Sequence, residues 1–320
     1  MMLSKVAERV YWTARYLERV ESTARLVSIY DQLLFDLPRS VQLSWYNLIT
    51  INSLQTDFDE RYKVRDERNV VKFLIGDESN ISSVVSSLKA ARENIRTTRD
   101  VIPQETWEFI NELSLFVQDN LKQGINRSKR YEFLGEIIKS CQQILGMLYG
   151  NMPHDEVWSF LRLGRNLERA DMTTRILDAG VSVIAQMQED DSVYNSRQIA
   201  LGNVLRSLNA DQAYRRLMRL SVNGPAVVEF LLGHKAFPRS ITHCLNSMIH
   251  AAEQLPNPKP VRDHLLGIHK GLETKPTEVD ETEVFSDFLN NLQIQFAEAN
   301  NLIAQHWFST DVEQIDYQAS

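Results

Sequence analysis

Ala14-Arg15-Tyr16-Leu17-Glu18-Arg19-Val20-Glu21-Ser22-Thr23-Ala24-Arg25-Leu26 and Gly164-Arg165-Asn166-Leu167-Glu168-Arg169-Ala170-Asp171-Met172-Thr173-Thr174-Arg175-Ile176 are one pattern written twice. At a constant offset of 150 residues, six of thirteen positions are identical, and most of the others are close in character. A repeat at fixed spacing is read before anything else, because it sets the architecture of the whole chain.

Neither copy contains proline, and both carry apolar residues at helical spacing. Val6, Val10, Thr13, Leu17, Val20, Ala24 and Val27 share one face of the first helix; Phe160, Leu163, Leu167, Ala170, Thr174 and Leu177 share that of the second. At about 100° per residue, Arg15, Glu18, Arg19, Ser22 and Arg25 gather opposite, with Glu21 at the margin. Arg165, Glu168, Arg169, Asp171 and Arg175 gather in the same way. A single charged stripe is ordinarily a solvated face, stabilised by roughly 0.2–0.5 kcal/mol per pair. A solvated face need not repeat the same Arg, Glu, Arg, acid and Arg, so the doubling points to a shared interior polar site or to contact between the copies. Residual ancestry from a duplication is the plainer explanation.

The composition frames this. The chain has 320 residues, 43% of them hydrophobic, with 12 glycines and 9 prolines. That is enough apolar material for a substantial core and too little turn chemistry for a β protein, so the expected class is all-α. The net charge of −7 argues against general nucleic-acid binding. Cys141 and Cys244 lie in apolar helical patterns, as buried free thiols of a reducing compartment do. No apolar run is long enough to cross a membrane, and the first amphipathic helix begins without a signal-peptide core. A cytoplasmic protein without membrane attachment is expected.

Along the chain, the first helix is expected over Leu3 to Phe35, stopped at Leu37-Pro38, with a second over Val41 to Ile51. Residues 57–75 end at Gly76. A strong helix is expected from Ile81 to about Val101, capped by Ser79 or Asn80; another starts at Pro103 near Trp107, and another covers Tyr131 to Tyr149. Gly150-Asn151-Met152-Pro153 breaks the chain, Asp155 caps the second charged helix, and the landmarks then recur. Phe230-Leu231-Leu232-Gly233 echoes Phe73-Leu74-Ile75-Gly76, and Pro238-Arg239-Ser240-Ile241 stands where Ile81-Ser82-Ser83-Val84 stood. The expected architecture is a helical bundle of two tandem pseudo-repeats, 1–152 and 153–320. An irregular proline-rich connection, 255–282, precedes a last helix from Glu283 to about Trp307 and a polar tail. If the units pack about a pseudo-twofold axis, the charged helices would lie antiparallel near it, with Glu18 and Arg169 meeting Arg19 and Glu168.

These motifs, with Arg92-Glu93-Asn94-Ile95-Arg96, Glu105-Thr106-Trp107-Glu108, Asn111 and Phe237-Pro238-Arg239-Ser240, make the chain resemble the alpha-E domain family over its whole length. Genes of that family lie beside those for a circularly permuted ATP-grasp ligase, a transglutaminase-like peptidase and often a proteasome-like peptidase. The resemblance implies a part in peptide ligation or modification, with the ligase and the transglutaminase-like peptidase as partners, and brings no activity of its own. Pro238-Arg239-Ser240 has no counterpart arginine in the first half, so a site using Arg239 exists once.

Three chemistries fit the stripes. Arg15, Arg19, Arg25, Arg165, Arg169, Arg175 and Arg239 offer planar forks for a carboxylate or phosphate, with Glu18, Glu21, Glu168 and Asp171 positioning the forks or receiving an amine. Arg92 and Arg96 could add to the basic side. Alternatively, Glu18 or Glu168 is a general base in amide transfer, with arginines stabilising an oxyanion; no catalytic residue is fixed. The third reading is a structural scaffold. Carboxylates at i, i+3 on two helices suggest a di-metal bundle, but the partner positions carry arginine instead of histidine, so no metal is expected. No nucleophile elbow or phosphate-binding glycine loop is present, and no cofactor is expected. The ligand would be a charged peptide or amino acid; homo-oligomerisation stays open.

Overall fold

The computed structural model describes residues 4–36, 44–185, 187, 193–276 and 282–308, and these residues form helices and no strand. The helices are α1 (Ser4–Asp36), α2 (Asn47–Ile51), α3 (Gln55–Arg61), α4 (Glu67–Ile75), α5 (Val84–Arg96), α6 (Glu105–Ile125) and α7 (Arg127–Asn151). They continue with α8 (Glu156–Ala185), α9 (Val193–Ser207), α10 (Asp211–Met218), α11 (Gly224–Val228), α12 (Ile241–Glu253), α13 (Lys259–Gly271) and α14 (Thr282–Ile303). Single π-turns extend α11 and α14 over Glu229–Gly233 and Ala304–Phe308. The all-α class holds. None of these helices is long and apolar enough to cross a membrane.

Two long helices, α1 and α8, form the centre. They pack on each other; α1 also packs on α5 and α7, and α8 on α12 and α14. The buried apolar side chains make one continuous cluster through all of these elements. Leu17, Val20, Ala24 and Val27 of α1 and Leu163, Leu167, Ala170 and Leu177 of α8 are all buried.

The two central helices run parallel, not antiparallel. Contacts advance together along both: Tyr11 meets Gly164, Arg15 meets Glu168, and Leu26 and Tyr30 line the same small cavity as Ile176 and Gly180. Gly164 permits this. A Cβ there would stand 2.2 Å from the carbonyl oxygen of Tyr11, so the two backbones touch where only glycine fits.

The caps explain where several boundaries move. Asp155 accepts from the Trp158 amide at 3.1 Å, as expected. The strong helix starts at Val84 instead of Ile81, because the Ser83 hydroxyl, not Ser79 or Asn80, accepts from the Ser86 amide at 3.1 Å. Ser240 does the same for α12, accepting from His243 at 3.2 Å. Ser44 to Tyr46 precede α2 as a turn, so the expected helix is shorter. Within the irregular connection expected over 255–282, α13 fills Lys259–Gly271, with Pro258 and Pro260 at its start, where proline's missing amide costs nothing, and residues 277–281 lie outside the described residues. α9 to α11 occupy a stretch for which the sequence pattern gave no helix. The stop at Leu37-Pro38, the start at Val41 and the tail after Ser309 lie outside the described residues.

Candidate functional site

Where α1 and α8 face each other, their charged stripes are buried. Glu18 is fully inaccessible, and Glu21 and Glu168 are nearly so. Such a carboxylate costs several kcal/mol to desolvate and must be surrounded by positive charge.

Glu168 receives α1. The Nε of Arg15 donates to its Oε2 at 2.7 Å, and Arg19 grips both oxygens, Nε to Oε1 at 2.6 Å and Nη2 to Oε2 at 3.1 Å. Glu18 receives α8 in return. Nε of Arg165 and Nε of Arg169 lie 3.1 and 2.9 Å from its Oε2. The four side chains expected to meet across the helix pair therefore do meet, each glutamate beside the other helix's arginines.

Arg239, from the turn before α12, breaks the reciprocity. Its Nη1 lies 2.5 Å from Glu18 Oε1, and its Nη2 donates to Glu21 Oε1 at 3.1 Å. The Thr173 hydroxyl donates to the Arg239 carbonyl at 3.0 Å and holds this turn against α8. Glu21 also accepts from Arg25 at 2.7 Å and from the Gln142 amide at 3.2 Å. Glu18 thus has three arginines and Glu168 two.

Asp171 and Arg175 stand at the edge, paired with each other at 2.8 Å, with Arg175 also donating to Ser53 at 2.7 Å. Arg92 and Arg96 do not join: Arg92 donates to Asn111, Arg96 pairs with Glu93, and both contacts are exposed. Gln142, Tyr11 and Asn300 enter without a motif to mark them, the last two through hydrogen bonds that continue from Arg15.

Electrostatics fix the protonation of the group. Burial opposes ionisation of Glu168, yet Arg19 and Arg15 override it and bring its carboxyl down to about 2. Burial likewise opposes ionisation of Glu18, and Arg169, Arg239 and Arg165 hold it well below the usual carboxylate range. Both are ionised at any physiological pH, which makes them weak proton acceptors. Arg239 is pushed down by burial and by neighbouring Arg169, against the pull of Glu18. Cys141 and Cys244, beside these glutamates, are buried free thiols raised by burial, Cys244 to about 12.

Six guanidinium groups surround three carboxylates here, an excess of three positive charges. The side chains of Arg15, Arg19, Arg25, Arg165 and Arg169 keep between 11% and 18% of their surface open. Arg15 lies over Trp12, Arg19 over Tyr16 and Arg165 over Tyr149, at 5.0, 5.8 and 4.5 Å, which splays the forks in fixed planes. Near the centre, Ser22 Oγ and Arg25 Nε are buried without a hydrogen-bond partner, and Glu18 Oε1 and Arg169 Nε are held by ion pairs alone. Among the described residues no three His, Cys, Asp or Glu side chains gather as metal ligands do.

Comparison with known proteins adds the following. An uncharacterized protein of Mycobacterium bovis and two of Mycobacterium tuberculosis are each 20% identical over 270 residues, covering 79% of this chain. The chain spans about 30% of the length of these curated relatives. No solved structure matches it. The model of the Alpha-E family, described as a predicted alpha-helical domain with a conserved ER motif, matches residues 2–308. α1 and α8 each carry a Glu-Arg pair, Glu18-Arg19 and Glu168-Arg169, and the chain belongs to the Alpha-E family.

Proposed function

We propose that the arginines around Glu18, Glu21 and Glu168 bind a carboxylate or phosphate carried by a peptide or amino acid, as one component of an ATP-grasp-associated peptide ligation or modification system. The observation that carries this is the charge excess. Six buried or half-buried guanidinium groups against three carboxylates form a basic site whose forks are held rigidly by the glutamates, and preorganised forks lose little freedom on gripping an anion. The glutamates act as positioning residues. Their lowered proton affinity counts against the alternative of a stand-alone enzyme with Glu18 or Glu168 as general base.

An ATP-grasp ligase is the partner that the family resemblance implies. A transglutaminase-like peptidase is a second candidate partner. The reciprocal gripping of Glu18 and Glu168 supports the duplication of units 1–152 and 153–320.

Calorimetric titration with orthophosphate and with N-acetylglycine, a carboxylate without an amine, tests the site. Saturable binding that falls about tenfold or more in Arg19→Lys or Arg169→Lys, which keep the charge and lose the fork, is expected. Absence of binding by the folded protein overturns the reading. Co-purification with the neighbouring ligase, and ligase turnover that depends on the added chain, test the partnership.

A further inference from the structure

Beyond the arginine network, α8 continues past Arg175 into a second polar region. Between α2, α8 and α14 lies a cavity of about 390 Å³, walled by Asn47, Ser53, Gln55, Ser182, Asn290 and Gln293. Two charged side chains face it from α8, Arg175 and, one turn on, Asp178. Arg175 is already neutralised by Asp171. Asp178 is different: its Oδ1 accepts from the Ser286 hydroxyl at 2.7 Å, and no described cation pairs with it. Burial accordingly raises its carboxyl above the usual range, with Ser286 alone opposing.

Asn47, Ile51 and Ala179 also wall a second, apolar chamber of about 50 Å³. Leu26, Tyr30, Ile176, Val183 and Val204 close its far side. At roughly 10–15 Å³ for each water-sized sphere, that chamber has room for a small branched aliphatic group and not for an aromatic ring.

We propose that these two adjoining cavities together bind the α-amino end of an amino acid or peptide whose first side chain is aliphatic, with the ammonium at Asp178 and the side chain in the apolar chamber. An unpaired carboxylate in a polar cavity selects a cation, and the surrounding neutral amides and hydroxyls suit the polar atoms next to an α-ammonium. Arg175 stands where a free carboxylate or a peptide carbonyl would lie. The assignment extends the reading of the arginine network as a peptide or amino-acid site, but rests on different side chains.

Titration of the full chain with L-leucine, L-leucinamide, N-acetyl-L-leucine and L-phenylalanine tests it. Saturable binding of L-leucine or L-leucinamide is expected, with N-acetyl-L-leucine and L-phenylalanine at least about tenfold weaker. Preference for L-leucine identifies a free amino acid, and equal binding of L-leucinamide a peptide's first residue. Asp178→Asn should remove the preference for a free amine without lowering the melting temperature. No saturation by either amine, or equal affinity for N-acetyl-L-leucine, overturns the assignment, and these comparisons on the unaltered protein stand even if the variant fails to fold. A chain that binds orthophosphate but neither amine defeats this assignment alone; one that binds L-leucinamide but neither orthophosphate nor N-acetylglycine defeats only the arginine-site reading.

Discussion

Replacing Glu168 by glutamine keeps its shape and removes its charge, leaving Arg15 and Arg19 buried against each other. The cost can be worked from the carboxyl itself. Its fall from an ordinary 4.5 to about 2 in the folded state corresponds to about 3 kcal/mol of stability at neutral pH. Breaking a buried ion pair by removing one partner gives the same order, about 3–5 kcal/mol. At roughly 2.1 cal/mol/K per residue, a chain of 320 residues loses about 1.5 °C for each kcal/mol, so melting should fall by about 5 °C. The sign in pH follows from a lowered carboxyl. Its stabilisation is complete above the unfolded value near 4.5 and drains away as pH falls toward the folded value near 2. Denaturant unfolding of the unaltered and Glu168→Gln proteins should therefore show a gap of about 3 kcal/mol at pH 7 that narrows steadily below pH 4.5. A gap under about 1 kcal/mol at pH 7, or one that stays constant down to pH 3, refutes this account of how the helices are joined.

Gly164→Ala puts a Cβ 2.2 Å from the Tyr11 carbonyl and must part α1 from α8; calorimetry should show about 1–3 kcal/mol lost, whereas Gly146→Ala in α7, with nothing within 4 Å, should gain up to about 1 kcal/mol. Arg239→Ala leaves Glu18 and Glu21 short of a shared cation and should destabilise more than Arg175→Ala, whose pair sits at the half-exposed edge; parallel thermal melts decide the order. Cys141 and Cys244 should both resist a thiol reagent at pH 8 in the native protein and both react in denaturant, since burial keeps the thiols protonated; labelling of native Cys244 within minutes contradicts its place beside Glu18.

The meeting of Glu18 and Glu168 with each other's arginines was legible because helical periodicity alone puts Arg15, Glu18 and Arg19 on one face, and the repeat supplied a matching face. The relative direction of the helices was not. Around one crossing point, parallel and antiparallel pairs bring the same three side chains together, and what separates them is the register away from that point, with Tyr11 at Gly164 and Tyr30 near Gly180. Arg239 was visible as a motif without a counterpart, but its two carboxylate partners lie 218 and 221 positions earlier, and nothing local records such a distance. Gln142 and Asn300 sit on ordinary helix faces and acquire their roles only through packing. The helix over Lys259–Gly271 was obscured by its own prolines, which start a helix as readily as they end one.

The separation of Arg239 from Glu18 also bears on how the chain is made. A ribosome releases α1 with its arginines and glutamates long before α8 exists to answer them, and the last arginine of the network follows some seventy residues after Glu168. Until then, Glu18 has no arginine of α8 or Arg239 to meet it, and water is its better solvent. The central helix of the finished bundle therefore begins life as a surface, and it is interred only when the second half of the polypeptide arrives.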